Sequence, residues 1–121
     1  MANPVVHWQM LTSDPASSSR FYSGLFGWNV SDDNGLGYRT VTTGSTGGID
    51  GGFWPLPPEG HQMIQLFIQV PDVKEYVSRA ESLGAKVIIP PQVLPDGDEM
   101  AIMIDPQGFP FGLTSGMKHL G

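Results

Sequence analysis

A histidine and several glutamines at alternate positions of two strand-like segments are the side chains best suited to chemistry. His7 and Gln9 alternate with apolar residues in the first segment, and Gln65 and Gln69 do so in a second segment 58 residues later. Because successive side chains of a strand point to opposite faces, the polar residues of each segment share one face. An imidazole on such a face is suited to metal ligation, to general acid–base catalysis near its ordinary pKa of about 6.5, or to ligand recognition.

Each segment is followed by a predicted helix with clear boundary signals. Asp14 favours a helix start and Gly27 a helix end, and Asp72 with Glu75 forms a capping box at the second helix. The first helix carries an apolar stripe that we expect to pack on the apolar face of the first strand: Phe21, Tyr22, Leu25 and Phe26. The polar face with His7 then lies on the other side of the sheet.

The order of one strand, one helix and three strands occurs twice, at about residues 3–56 and 61–116. In the second module, Pro90 and Pro91 are expected to end a strand over residues 86–89. A repeat of this kind predicts that the polar faces of equivalent strands share one concavity. Parity predicts the residues that line it as Gln9, Gln65, Phe67, Gln69 and Met103, with Met100, Ile102 and Ile104 in the core.

A glycine-rich segment covers residues 44–52. It lacks the Lys-Ser/Thr pair of a phosphate-binding loop, and no helical pattern follows it. It is more typical of a strand or bulge whose backbone another group approaches closely. Trp54, just beyond it and beside Pro55, is either a lid on a pocket or a contact in a dimer.

Composition bounds the classes of function. The 121 residues suffice for a single domain with a hydrophobic core, and the absence of cysteine excludes disulfides and thiolate chemistry. The net charge of −6, from 12 acidic and 6 basic residues, argues against nucleic acid and is compatible with a cationic ligand or an ordinary acidic surface. No apolar run approaches the about 20 residues of a membrane span, and no signal-peptide pattern is present, so we expect a cytoplasmic protein without membrane partners.

Several short motifs carry a resemblance to a known superfamily. They are the opening strand with His7, the helix end Phe21-Tyr22…Leu25-Phe26-Gly27-Trp28, Leu83-Gly84-Ala85, and Asp105-Pro106-Gln107-Gly108…Phe111-Gly112-Leu113. With these motifs the chain resembles the vicinal oxygen chelate superfamily of glyoxalases, bleomycin-resistance proteins and dioxygenases, and within it the glyoxalase-like branch of CFP30B-like hydroxylases. The resemblance implies an α+β fold in which two βαβββ modules form an open eight-stranded, barrel-like sheet with the ligand or metal in its concave mouth.

The resemblance also implies four metal-ligand positions, one on the first and one on the last strand of each module, for Fe, Mn, Ni, Zn or Co. His7 matches the first position and Gln65 the third, whereas Gly112 stands where a glutamate is usual. The second position falls within residues 50–53, where Asp50 is the one ligating side chain. Because the set His7, Asp50 and Gln65 lacks the last-strand carboxylate, we expect no metal cofactor.

Two hypotheses follow for function. The first is a metal-free protein that binds a small organic molecule through residues His7, Gln9, Asp50, Trp54, Gln65, Phe67 and Met103. The second is a metal-dependent glyoxalase-like lyase, isomerase, dioxygenase or hydroxylase-like enzyme, with His7 as the catalytic candidate and His7 and Gln65 as metal ligands. In a third interpretation of His7 alone, it is a wall residue hydrogen-bonded to Gln9 or Gln65. The resemblance further implies a homodimer, with or without exchange of modules.

Overall fold

The computed structural model describes residues 3–31, 37–44, 47–94 and 97–116. Its elements, in chain order, are β1 Val5–Thr12, α1 Pro15–Phe26, β2 Asn29–Val30, β3 Arg39–Thr42, β4 Gly51–Pro55, β5 Met63–Gln69, α2 Val73–Ser82, β6 Lys86–Val93, β7 Glu99–Ile104 and β8 Pro110–Thr114. The predicted βαβββ order is therefore present twice. Neither of the two described helices is long and apolar enough to cross a membrane.

The described residues fold as two compact units, one of residues 7–65 and one of residues 3–6 with 66–116. In the first unit, β1 pairs in parallel with β4, and β4, β3 and β2 follow in antiparallel order. In the second unit, β5 pairs in parallel with β8, and β8, β7 and β6 follow in antiparallel order. Each unit therefore repeats one arrangement, in which the opening strand lies beside the last strand of its module.

Helix α1 begins and ends at the predicted residues. The side chain of Asp14 accepts a hydrogen bond from the amide of Ser17 at 3.1 Å, and Pro15 occupies the first helical position. Gly27 ends the helix with a left-handed φ of 74°, and its amide donates to the carbonyl of Ser23 at 2.8 Å. These local signals suffice to fix the boundaries because capping involves groups only a few residues apart.

The apolar stripe expected on α1 is largely exposed. Phe21, Leu25 and Phe26 have between 57% and 59% of their surface accessible, whereas the buried residue of the helix is Ser19. The Ser19 hydroxyl donates to the carbonyl of Pro15 at 2.7 Å, so its polar group is satisfied within the helix. The expectation that the whole stripe packs on the sheet is therefore wrong, because a small residue faces inward instead.

One member of that stripe, Tyr22, does pack inward on an aromatic cluster. Its ring lies 5.4 Å from Trp28 and 5.9 Å from Phe53, measured between centroids. Trp8 on β1 contacts Trp28 at 5.5 Å and Phe53 at 6.2 Å. The predicted parity of β1 is confirmed, since Trp8 lies on the helix side and His7 on the opposite face.

The core of the second unit lies beneath α2. It consists of Val70, Val73, Val77, Ala101, Met103 and Leu113. The parity predicted for β7 is therefore wrong: Met103 and Ala101 pack on the helix side, and Met103 belongs to the core rather than to the face of the predicted concavity. Ala101, Ile102 and Met103 are all buried, so hydrophobicity does not alternate along this strand and cannot reveal its faces.

Strand β6 continues through the two prolines that were expected to stop it. Its pairing with β7 shifts register between Val87 and Ile89 and again between Ile89 and Gln92. Because β6 is an edge strand with irregular pairing, Pro90 and Pro91 remove no hydrogen bond that the sheet requires.

Candidate functional site

A buried hydrogen bond between His7 and Tyr38 is the central feature of the first unit on the face opposite α1. The Nε2 atom of His7 lies 3.0 Å from the Tyr38 hydroxyl. His7 is 2% exposed and Tyr38 7% exposed. The predicted site residues include His7 but not Tyr38, which directly precedes β3 and reaches β1 through space.

Burial keeps both members of this pair uncharged. It lowers the pKa of His7 from 6.5 to about 4, against an opposing effect of the Asp50 carboxylate. Burial also raises the pKa of Tyr38. The phenol donates to Nε2 when the imidazole proton is on Nδ1 and accepts from it in the other tautomer. A histidine with so low a pKa is a weak general base near pH 7, but it can hold a hydrogen bond in a fixed direction.

Two adjacent glycines of β4 make room for aromatic side chains on both faces of the strand. A Cβ atom built on Gly52 would overlap the hydroxyl and ring of Tyr38, and one built on Gly51 would overlap the ring of Trp8. The expectation that another group closely approaches this glycine-rich backbone is therefore confirmed.

Strand register identifies the residue of β4 that is equivalent to Gly112, within residues 50–53, where the resemblance implies a second metal-ligand position. Gly52 lies opposite Gln9 in the β1–β4 pair, just as Gly112 lies opposite Phe67 in the β5–β8 pair. Since Gln9 and Phe67 are themselves 58 residues apart, Gly52 is the equivalent of Gly112. A Cβ atom on Gly112 would overlap the Phe67 ring, so both positions carry a glycine beneath an aromatic side chain.

Asp50, a predicted ligand residue, is hydrogen-bonded to the residue that follows the end of β3. Its Oδ1 atom accepts hydrogen bonds from the backbone amide of Thr43 at 2.8 Å and from the Thr43 hydroxyl at 3.1 Å. The carboxylate is exposed and lies just before β4. Asp50 thus stabilises the connection between β3 and β4, and it acts on His7 through its charge.

Three other predicted site residues lie in the first unit, and they differ in burial and in the contacts that their side chains make. Gln65 is buried, and its amide nitrogen lies 3.9 Å from the Met63 sulfur, a weak contact. Gln9 is half-buried, and its side chain makes no hydrogen bond within the part of the chain that the structure describes. Trp54 is half-buried, with its ring centroid 5.3 Å from that of Tyr38.

The donors at the implied metal positions do not fit a divalent metal centre. Of the four positions, two carry His7 and Gln65, and the other two are the glycines 52 and 112, which have no ligating side chain. Within residues 3–31, 37–44, 47–94 and 97–116, no group of three or more His, Cys, Asp or Glu side chains lies close enough to hold a metal ion. Tight sites of this kind normally need three or four protein ligands.

Comparison with known proteins agrees with this fold. Residues 6–114 match the glyoxalase-like domain family. CFP32, a candidate glyoxylase by name from Mycobacterium bovis and Mycobacterium tuberculosis, is 31% identical over 117 residues, which is 91% of this chain. That match covers 44% of CFP32, so the chain spans less than half the length of these relatives.

Solved structures share the architecture at low sequence identity. The Bacillus halodurans protein BH1468 superposes with a TM-score of 0.70 at 15% identity, and the match covers 98% of both chains. A glyoxalase/bleomycin resistance protein/dioxygenase superfamily member from Vibrio splendidus gives a TM-score of 0.66 at 14% identity, over 93% of this chain and 98% of that one. With its family match, its two βαβββ modules and these neighbours, the chain belongs to the glyoxalase-like domain family of the vicinal oxygen chelate superfamily and has the α+β fold of that superfamily.

Proposed function

We propose that this glyoxalase-like domain binds a small organic molecule without a metal ion. The observation that carries the proposal is that Gly52 and Gly112, where the resemblance implies the two last-strand metal ligands, are each covered by an aromatic side chain. A carboxylate at either position would have to displace Tyr38 or Phe67, and both of these rings are buried. The residues in place therefore favour direct contacts with an organic ligand over chelation through a metal.

The first unit offers groups that small-molecule sites commonly use. Aromatic rings and a few fixed polar groups dominate such sites, and Trp54, Tyr38, Gln9 and the His7 imidazole are of these kinds. Because His7 is hydrogen-bonded to Tyr38, its ring is held in one orientation rather than free to rotate. With twice as many acidic as basic residues, the chain also favours a small-molecule partner over nucleic acid.

A second candidate function is a glyoxalase-like lyase, isomerase or dioxygenase that depends on His7 and a metal. Two points favour it: His7 matches the first metal-ligand position that the resemblance implies, and the relative CFP32 is named as a candidate glyoxylase. On this alternative, a metal would have to bind His7 and Gln65 with water in place of the missing carboxylates. Such a set gives weak binding, since each lost protein ligand lowers affinity.

Metal content separates the two candidates. The protein is purified without chelator or affinity tag and measured by mass spectrometry of its metals, beside His7→Ala and the control His61→Ala, which removes an exposed histidine. We expect far less than one equivalent of transition metal in all three proteins. Near one equivalent in the wild type and in His61→Ala, lost in His7→Ala, would establish the enzyme alternative instead.

Ligand binding is then tested by thermal shift with a library of small organic compounds in the absence of metal. A compound at 100 times its Kd stabilises the folded state by about 2.7 kcal/mol, which gives a measurable rise in Tm. The proposal requires at least one such compound whose effect is unchanged by added chelator. Stabilisation that appears only after Mn, Fe, Co, Ni or Zn is added would contradict it.

A further inference from the structure

Two side chains of the first unit present polar groups that the described fold does not use. The Gln9 amide and the Trp54 indole N–H make no hydrogen bond with the described residues, and both side chains are half-buried. Gln9 lies opposite Gly52 in the β1–β4 pair, and Trp54 is two residues further along β4. Side chains at alternate positions share a face, and the contact of Trp54 with Tyr38 places it on the His7 side of the sheet.

Tyr38 lies over Gly52 and contacts Trp54, and with its hydrogen-bonded partner His7 it forms a neutral, largely buried surface on the same side of the sheet. Among the residues that the structure describes, a charged group that acts on His7 is the Asp50 carboxylate, which is exposed and accepts hydrogen bonds from Thr43. Moving an ionic ligand onto a buried, neutral surface costs free energy unless an opposite charge compensates it. The surface therefore favours an uncharged ligand.

The two groups beside this surface also favour a particular ligand shape. The side-chain amide of glutamine presents a carbonyl acceptor and an N–H donor side by side, so its complement is a donor next to an acceptor. The indole of Trp54 offers a flat apolar face and one further N–H donor. A planar molecule with a carbonyl oxygen beside an N–H or O–H group satisfies both.

We infer that the first unit binds an uncharged, planar organic molecule that carries a carbonyl oxygen beside an N–H or O–H group, paired with the Gln9 amide and stacked on Trp54. This inference rests on the proposed metal-free binding function and names the ligand class of that site. Tyr38, held over Gly52 and largely buried, supports Trp54 from behind through its ring contact.

A matched series of bicyclic probes tests the ligand class. The lactam 2-quinolinone, the anion quinoline-2-carboxylate and the cation N-methylquinolinium share a fused bicyclic framework, and of the three only 2-quinolinone is uncharged and carries a carbonyl beside an N–H group. Affinities are measured by ligand-observed NMR titration of the metal-free protein. We expect 2-quinolinone to bind most tightly, and we expect Gln9→Met and Trp54→Leu each to weaken it by about tenfold.

Matched variants control for folding and for non-specific effects. Gln92→Met makes the same chemical change on the exposed edge strand β6 and should leave the affinity for 2-quinolinone unchanged. Gln9→Glu keeps the side-chain size but removes the donor, so it should lose at least as much affinity as Gln9→Met. Circular dichroism of each variant verifies that it is folded.

Other outcomes overturn the inference in distinguishable ways. Three outcomes would reject the ligand class: tighter binding of either charged probe, an unchanged affinity in Gln9→Met and Gln9→Glu, or no binding of any probe. Each of them would leave metal-free binding of other molecules intact. Binding of the probes only after a transition metal is added would instead reject the proposed function itself.

Discussion

At the scale of single residues, Gly52 matters because of the side chain that lies over it. The hydroxyl of Tyr38 occupies the volume that any larger residue at position 52 would fill, and the same hydroxyl is bonded to His7. The lack of a side chain at Gly52 therefore leaves room for Tyr38 to reach across β4 to β1. Its importance is steric, since its φ is not among the positive values that require glycine.

The first prediction concerns this steric requirement. Gly52→Ala should lower the free energy of unfolding by about 1–3 kcal/mol, because the new methyl group forces Tyr38 out of its buried position. Urea denaturation measures the change. Gly24→Ala is the matched control: it lies inside α1 with no atom near its Cβ position, and it should raise stability by about 0.5–1 kcal/mol.

A double-mutant cycle verifies the cause of that loss. In a Tyr38→Ala background the space over Gly52 is empty, so adding Gly52→Ala should cost less than about 0.5 kcal/mol. An equal cost in both backgrounds would show that Tyr38 is not the group that excludes a side chain at position 52.

The second prediction follows from the lowered pKa of His7. Because the folded-state pKa is about 4 and the ordinary value is 6.5, the unfolded chain takes up a proton first as pH falls. The contribution of neutral His7 to the free energy of unfolding is fully present above pH 6.5 and is lost progressively as the pH falls toward 4. With 1.36 kcal/mol per pKa unit, the loss is about 3 kcal/mol.

This contribution is isolated by comparison with His7→Gln, which cannot titrate. Free energies of unfolding measured from pH 7.5 to pH 4 should fall more steeply in the wild type than in His7→Gln. His61→Gln removes an exposed histidine and keeps His7, so its profile should follow that of the wild type. Parallel profiles for wild type and His7→Gln would contradict the buried, neutral imidazole.

At the scale of elements, the helices show which features depend on neighbours in sequence and which depend on the tertiary fold. Asp14 and Asp72 each accept a hydrogen bond from the amide three residues later, as predicted from the cap positions. The face that α1 turns inward was not predictable in the same way. Its aromatic residues favour burial by type, but Ser19 fits the close approach to the sheet and Phe21 remains outside.

The third prediction concerns this exposed face of α1. Phe21→Gln should change the free energy of unfolding by less than about 0.5 kcal/mol, because the ring loses little contact on unfolding of the single chain. Val77→Ala, on the buried face of α2, should lower it by about 2 kcal/mol. Urea denaturation at low protein concentration gives both values.

The dependence on protein concentration shows why Phe21→Gln is destabilising, if it is. If Phe21→Gln is destabilising and its cost grows with protein concentration, then Phe21 is buried between copies of the chain. A large cost that is independent of concentration would mean instead that Phe21 packs within its own chain.

At the scale of the whole molecule, the sequence predicts the repeated βαβββ order and the face that carries His7, because both rest on local periodicity. The site is harder to predict, since it depends on register between distant segments. The sequence leaves open which residue of 50–53 is equivalent to Gly112, and the pairing of Gln9 with Gly52 identifies it as Gly52. The sequence assigns Met103 to the wrong face because residues 101–103 of its strand are all buried. It does not identify Tyr38 as a site residue because the hydrogen-bond partner of Tyr38, His7, is 31 residues away.

The fourth prediction is that the chain forms a homodimer, as its family resemblance implies. Large apolar side chains are exposed in both units, among them Leu25 and Phe109, and burying such groups favours association. Each copy carries a net charge of −6, so the copies repel at low ionic strength. Salt shortens the Debye length from about 10 Å at 0.1 M to about 3 Å at 1 M, and it should therefore strengthen the dimer.

Light scattering at several salt concentrations measures this association. We expect a molar mass of twice the 13.1 kDa of one chain, approached at lower protein concentration as salt is raised. A monomer at every concentration and ionic strength would contradict the prediction. A dimer that dissociates as salt is raised would show that charge pairs, rather than apolar contacts, hold the copies together.

The paired glycines and aromatic rings also constrain how this sequence can evolve. A single change of Gly52 or Gly112 to glutamate brings a carboxylate into a space that Tyr38 or Phe67 already fills, so selection for stability removes it before any metal is bound. A glutamate at either position becomes compatible with the fold only if the aromatic side chain over that position is lost. Among homologues, glycine at these two positions should accordingly co-vary with a large ring at positions 38 and 67, and glutamate with a small side chain there.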